Sequence, residues 1–261
     1  MRIVLVLFLV SATSSLLAQD SLLTRRWGAE FGLNYVYANP MGGMGKIVDQ
    51  GHGANLNIGG LTPNRHFAFG VEMAYVQYSR DKTNQEYNLD DGTVAPMEII
   101  VLNSFANFTG YVRWYLVTKG LVQPYIAGKL GYSNFSTDLS VYDPDDNDHC
   151  EPVDSDILYH DGTMIGVIGA GVKLDMRTFF KKLRVGRFYF ESSFNFTQGG
   201  QVQYMDSDAD KHMHSGMPDA DPVMTKFINT QTQIVHEHHV GYLYTSPVQM
   251  FDVQAGLSMR F

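Results

Sequence analysis

A period-two alternation of apolar and polar side chains returns eight times in this chain. No Asp, Glu, Lys or Arg stands on the apolar side of any of the eight stretches. Alternation at that period marks a β-strand with two unlike faces. In a soluble sandwich the polar face meets water and the apolar face meets a core. In a membrane barrel the apolar face meets lipid and the polar face lines a narrow interior. Excluding charge from one face throughout favours the second arrangement, because Lys or Arg facing lipid at mid-depth costs about 2–4 kcal/mol. A soluble sandwich or lipocalin-like cup is the alternative.

The eight stretches share one grammar. WGAEFGLNYVYA sets Trp27, Ala29, Phe31, Leu33, Tyr35 and Tyr37 against Glu30 and Asn34. GANLNIGG sets Leu56 and Ile58 against Asn55 and Asn57, and HFAFGVEMAYVQY sets Phe67, Phe69, Val71, Met73 and Tyr75 against Glu72. In VLNSFANFTGYVRWYL, Leu102, Ala106, Phe108, Val112 and Trp114 oppose Asn103, Asn107, Thr109 and Arg113. PYIAGKLGYS turns Ile126, Leu130 and Tyr132 away from Lys129. TMIGVIGAGVKLDM separates Met164, Ile168, Ala170, Val172 and Leu174 from Lys173 and Asp175. RFYFESSFNF separates Phe188, Phe190, Phe194 and Phe196 from Glu191 and Asn195. The last stretch, FDVQAGLSMRF, alternates Phe251, Val253, Ala255, Leu257, Met259 and Phe261 with Asp252, Gln254, Gly256, Ser258 and Arg260.

The connections alternate as well. TPNR, VTKGLVQ and RTFFKKLRVG are short, whereas Asn39–His52, Arg80–Met97, Ser140–Asp161 and Gln198–Pro247 are long. Short turns on one side and long loops on the other are the pattern of an outer-membrane barrel, with the short turns facing the periplasm. The expected fold is all-β: a single antiparallel transmembrane barrel of about eight strands. The last long loop alternates in part (TQTQIVHEHHVGYLY), so the strands flanking it are expected to continue as a hairpin above the membrane.

The beginning, MRIVLVLFLVSATSSLLAQD, has a positive residue, a short apolar run and small residues up to Ala18. It reads as a signal peptide over residues 1–18, removed on export. An uncleaved anchor helix is the alternative, although the apolar run falls short of the roughly 20 residues a span needs. Residues 19–26 then form a short periplasmic segment and 27–261 the barrel. A net charge of −8 argues against a nucleic-acid partner. The one cysteine, Cys150, leaves an exported chain without an internal disulfide, so stability must come from the hydrogen-bond ladder.

With PYIAGKLGYS, GVIGAGVKL and the closing AGLSMRF in view, the chain resembles the small outer-membrane β-barrels of the Bacteroidota (PorT-like, and more distantly OmpX- and OmpA-barrel-like). That resemblance implies the bacterial outer membrane as the location. It implies a terminal aromatic, here Phe261, read by the barrel-assembly machinery, and it suggests service as an accessory subunit of an outer-membrane complex in protein secretion. Outer-membrane lipids and lipopolysaccharide are the expected surroundings, with a protein partner whose identity is open.

Three residue sets stand out. Glu30, Glu72, Asp175, Glu191 and Asp252 point inward with Arg113, Lys129, Lys173 and Arg260, so ion pairs are expected to fill the lumen. A narrow channel for small solutes is the alternative. Trp27, Phe67, Trp114, Phe188 and Phe261 are expected at the periplasmic rim, and Tyr35, Tyr75, Tyr132 and Phe196 at the outer rim. In the last long loop His212 with His214, or His236 with His238, beside Asp206, Asp208 and Asp210, have the spacing to share a divalent metal if the segment is extended. A plain polar surface is the alternative, as it is for the acidic DPDDNDHCEPVDSD segment, whose calcium-loop echo lacks the glycine. No other cofactor is expected. No GxSxG or metalloprotease signature occurs, so an enzyme is not expected; a lipid A-modifying enzyme, with Ser133, Ser136 and His160 near the outer rim, is the alternative.

Overall fold

The computed structural model describes residues 26–88, 94–142, 152–176, 187–206, 221–228 and 235–261. Nine strands follow in order: β1 (Gly28–Pro40), β2 (Gly51–Leu61), β3 (Phe67–Asn88), β4 (Val94–Tyr115), β5 (Val122–Tyr142), β6 (Asp154–Asp175), β7 (Arg187–Asp206), β8 (Asp221–Ile228) and β9 (Val235–Arg260). Neighbours pair antiparallel from β1 to β7, β7 pairs β9, and β9 returns to β1. Eight strands therefore close a barrel, and β8 lies outside that circuit, paired to the upper part of β9. Residues 1–18, read above as a signal peptide, lie outside the described residues.

The sequence pattern sets which face points where. Leu130, Ile168, Met164, Leu33, Met73, Phe108 and Leu257 are exposed on the outer wall. Their strand neighbours Lys129, Asn34, Glu72, Thr109 and Ser258 are buried inside. A large apolar exterior wrapped around a polar interior is the reverse of a soluble protein, and lipid is the medium in which it is stable. The closed ladder leaves no unpaired edge within that band.

Glycine permits the tight curvature at the closing seam. A Cβ on Gly256 of β9 would lie 2.1 Å from the Leu33 carbonyl oxygen and 2.5 Å from the Asn34 Cα of β1. Only a residue without a side chain lets the two backbones approach so closely.

Sequence alone assigns Arg80–Met97 and Ser140–Asp161 to loops and expects a hairpin extension only within Gln198–Pro247; in the structure much of each of the three is sheet. β3 and β4 stay paired up to Asn88 and Val94, and β5 and β6 up to Val141 and Asp154. β7 and β9 stay paired up to Asp206 and Tyr242. These strands run 20–26 residues, about twice the 9–11 that cross a bilayer. The barrel therefore continues well beyond the membrane.

The physical reason is visible on β5. Below Tyr132 the outward residues are Ile126, Gly128, Leu130 and Tyr132, with Lys129 and Gln123 inside. Above Tyr132 the outward residues become Asn134, Ser136, Asp138 and Ser140, while Phe135, Leu139 and Val141 turn inward and are buried. The polarity of the two faces inverts while the alternation continues. The lower half is built for lipid outside and the upper half for water outside. An apolar interior is what lets the upper part stand as sheet.

β1 and β2 are short and do not share this extension. Above them stands β8, which pairs β9 from Asp221↔Leu243 to Ile228↔Val235 and touches β3. It takes the place beside β9 that β1 holds lower down, where Pro40↔Met250 is the last pair. The β1–β2 connection folds over the interior as a 3-10 turn at Met44–Lys46, burying Met44, Ile47 and Val48.

Candidate functional site

The lumen is filled in layers. At the periplasmic end the inward side chains of β1, β4, β6, β7 and β9 meet in one ionic cluster. Glu30 takes Arg113 at 3.2 Å, Lys173 at 3.1 Å and Arg260 at 3.2 Å. Glu191 takes Arg113 at 3.1 Å and Lys173 at 3.2 Å, and the Tyr125 hydroxyl donates to it at 2.6 Å. Tyr111 and Tyr115 donate to Glu30 at 3.3 and 3.0 Å. Arg113 lies over the Tyr111 ring at 4.4 Å and Arg260 over the Tyr115 ring at 4.2 Å. Every charged group in the cluster is at most 4 % exposed.

Burial of this kind demands pairing. An isolated ion in a low-dielectric interior costs several kcal/mol, and only a mutual network with satisfied hydrogen bonds offsets that. Alternation supplies the geometry, because each charge sits at an inward position and closure turns the inward positions toward one axis. The rings fill the space between the charges and add cation–π contact.

One step higher, Lys129 pairs with Glu72, and Arg113 reaches the same carboxylate at 3.5 Å. Asp252 accepts from Asn195 at 2.8 Å and Gln254 at 2.9 Å. Glu72, Lys129, Asp252 and Asn107 border a cavity of about 20 Å³, room for about one water. Above it the interior turns apolar. Phe105 and Phe135 meet at 5.3 Å, packed with Val76, Tyr78, Tyr204, Tyr244 and Met44. Higher still, Met97, Ile99, Val101, Leu139, Val141 and Met205 form a further core inside the extension, with Leu158, Val223 and Leu243 against it.

The expected lumen residues thus divide. Glu30, Arg113, Lys173, Glu191 and Arg260 share one cluster, Glu72 and Lys129 attach to it through Arg113, and Asp252 belongs to the cavity above. Asp175 lies at the periplasmic mouth, where its backbone N–H donates to the Leu121 carbonyl at 2.8 Å. The two apolar layers above are what the sequence reading lacked. Their signal was the run NFSTDLSVY, whose alternation continues with its polarity reversed.

The aromatic residues form two bands. Phe67 stacks on Trp114 with centroids 6.5 Å apart, and Trp27 meets Phe69 edge-on at 5.5 Å. Phe188 pairs with Met259 next to the rim, and Phe261 is 61 % exposed just past β9. Tyr35, Tyr75, Tyr132 and Phe196 are exposed near the level where the outer face of β5 turns polar. Exposed aromatics at two such levels suit the edges of a lipid-facing zone.

His212, His214, Asp208, Asp210 and Cys150 lie outside the described residues. His236 and His238 stand in β9 opposite Phe227 and Thr225, two positions apart and so at the same register face; their side chains, like that of Asp206, are outside what is described. Among the described residues no His, Cys, Asp and Glu cluster has metal-site geometry. His160 and Ser136 are paired across β5 and β6 above the membrane, whereas Ser133 points inward and is fully buried.

No protein-family model and no curated protein matches the chain. Among solved structures it is similar to a major outer membrane protein of Thermus thermophilus, at 9 % identity and TM-score 0.45, over 89 % of this chain and 99 % of that one. It is similar to the Neisserial surface protein A at 10 % identity and TM-score 0.41, over 90 % and 97 %. The attachment invasion locus protein of Yersinia pestis follows at 12 % identity and TM-score 0.35, over 92 % and 100 %. All are small barrels. The membrane reading here rests on this chain's own exterior.

Proposed function

We propose that this chain is a bacterial outer-membrane barrel that neither conducts nor catalyses, and that works through the sheet it raises above the membrane. One observation carries the reading: the inversion of polarity at Tyr132, which gives the extension its own apolar core. A protein needing only a membrane anchor has no use for strands twice the spanning length. A rigid, water-facing sheet is a platform for contact, and sites built on strands hold their geometry better than sites on loops.

The filled lumen supports a non-conducting role over the narrow-channel alternative. The extension carries exposed Val153 and Ile157 beside Asp154 and Asp156, an apolar spot with an acidic border that suits a protein partner. Service as an accessory subunit of an outer-membrane complex fits this surface. Lipopolysaccharide would surround the base of the extension, just above the outer aromatic band.

Photo-crosslinking tests the reading. A benzoylphenylalanine at Ile157, illuminated in native envelopes, is expected to give one discrete protein adduct that disappears on Asp154→Lys plus Asp156→Lys. A probe at Leu130, in the lipid zone, is expected to give lipid adducts only. Lipid adducts from Ile157, or none that depend on the two acids, would contradict the proposal.

A further inference from the structure

The opposite end of the barrel carries a second site. Below the ionic cluster the lumen opens to the periplasm as a vestibule of about 820 Å³. It is lined at its inner end by Gln123, 1 % exposed, whose side-chain Oε1 accepts from Arg260 Nη1 of the cluster at 2.7 Å. The vestibule thus meets the lumen at its periplasmic end, through Gln123.

Three cations border it: Arg65 from the β2–β3 turn, Lys119 from the β4–β5 turn and Arg187 at the start of β7. Among the described residues, none of the three finds an ion pair or a side-chain hydrogen bond. In the cluster above, by contrast, Arg113, Lys173 and Arg260 each meet a carboxylate. Asp175 is the single acid among the described residues of the lining. In a chain whose net charge is −8, convergence of three such cations on one cavity runs against composition.

The turn that presents Arg65 is held in place. The Arg65 N–H donates to the Thr62 carbonyl at 2.8 Å, and the His66 N–H donates to Asn64 Oδ1 at 3.2 Å. The His66 ring bonds the Tyr115 carbonyl at 3.0 Å, tying the turn to β4. Arg65 is the one non-glycine described residue at positive φ, 61°. That backbone favours glycine or asparagine and disfavours a long side chain. A cation kept on a strained position, beside a polar cavity, is a reason to look for its anion.

We infer that the vestibule is a docking site for an acidic segment of a periplasmic polypeptide. Among the described residues of the lining, three cations stand against one carboxylate, a surplus near two charges that two or three Asp or Glu side chains neutralise. The cavity is of ligand-site size and admits a few residues of extended chain. A guanidinium such as that of Arg65 or Arg187 can pair bidentately with a carboxylate, and the Lys119 ammonium gives a point contact. The inference is independent of the extracellular contact surface proposed above, since it concerns the other side of the membrane.

The test uses the full-length mature barrel refolded in a neutral detergent, titrated calorimetrically with hexaglutamate. Binding is expected in 50 mM salt and is expected to weaken at least fivefold in 300 mM salt as screening grows. The triple variant Arg65→Asn, Lys119→Gln, Arg187→Gln is expected to lose at least tenfold, with Asn chosen because it tolerates positive φ. Lys119→Gln alone, at an exposed turn position, keeps the fold and is expected to lose two- to threefold. Absence of binding by the unaltered protein, or equal binding by the triple variant, would overturn the inference. Inorganic phosphate is the competing arm: if it binds at the same three residues and hexaglutamate does not, the polypeptide partner is wrong.

Discussion

Glu30 and Arg260 stand opposite each other across the β1–β9 seam, and the Arg260 Nε donates to Glu30 Oε2 at 3.2 Å. The two residues are 230 positions apart, so the bond forms only when the barrel closes. Glu30 also anchors Arg113 and Lys173. Neutralising it leaves buried Arg260 without a carboxylate and takes one of their carboxylates from Arg113 and Lys173, which keep Glu191. Glu30→Gln is expected to destabilise the barrel by about 3–5 kcal/mol, the cost of breaking a buried pair from one side. Arg260→Gln is expected to cost less, because Glu30 keeps two partners. Urea unfolding midpoints in detergent rank the variants, and equal stability of Glu30→Gln and the unaltered protein would refute the cluster's role.

The seam depends on glycine as well as on charge. A Cβ at Gly256 meets backbone at 2.1 Å, whereas a Cβ at Gly128 meets nothing within 4 Å. Gly256→Ala is therefore expected to lower the yield of heat-resistant folded barrel on refolding, and Gly128→Ala to leave it unchanged. Gel mobility with and without boiling reads both. Similar yields for the two would show that the seam tolerates more separation than described.

The extension has a core of its own. Leu139 is 5 % exposed inside it, packed in the uppermost apolar layer. Leu139→Ala is expected to cost about 2–5 kcal/mol, as for other buried leucines. The extension is expected to become sensitive to protease while the membrane part stays folded. Resistance equal to that of the unaltered protein would mean that this layer does not hold the extension together.

The lumen is filled by the ionic cluster and by the Phe105–Phe135 layer. Purified barrel in planar bilayers is expected to give no stable conductance steps. Regular steps that persist across preparations would return the narrow-channel alternative to first place.

Much of this was legible in the sequence, for a physical reason. Lipid on one side and a narrow lumen on the other force alternation at every spanning residue, so Leu130 and Lys129 declare their sides without any neighbour. The pairing of specific charges was not legible: that Arg113 reaches Glu30, Glu72 and Glu191 depends on strand stagger around a closed circuit. A hairpin was legible only in the last of the long connections; on β5 the extension looks like loop because the alternation there runs with reversed sign. Ser136, Asp138 and Ser140 look like surface residues of a loop until Phe135, Leu139 and Val141 are seen to alternate with them.

The inversion on β5 is the centre of the account, and accessibility along one face measures it directly. In a Cys150→Ser background, cysteine replaces in turn the outward residues Ile126, Leu130, Tyr132, Ser136, Asp138 and Ser140. Intact cells are then treated with a membrane-impermeant maleimide. The account predicts no labelling of Ile126→Cys and Leu130→Cys, a transition near Tyr132→Cys, and rapid labelling of Ser136→Cys, Asp138→Cys and Ser140→Cys. Labelling of Leu130→Cys as fast as that of Asp138→Cys would contradict it, and so would protection of all six.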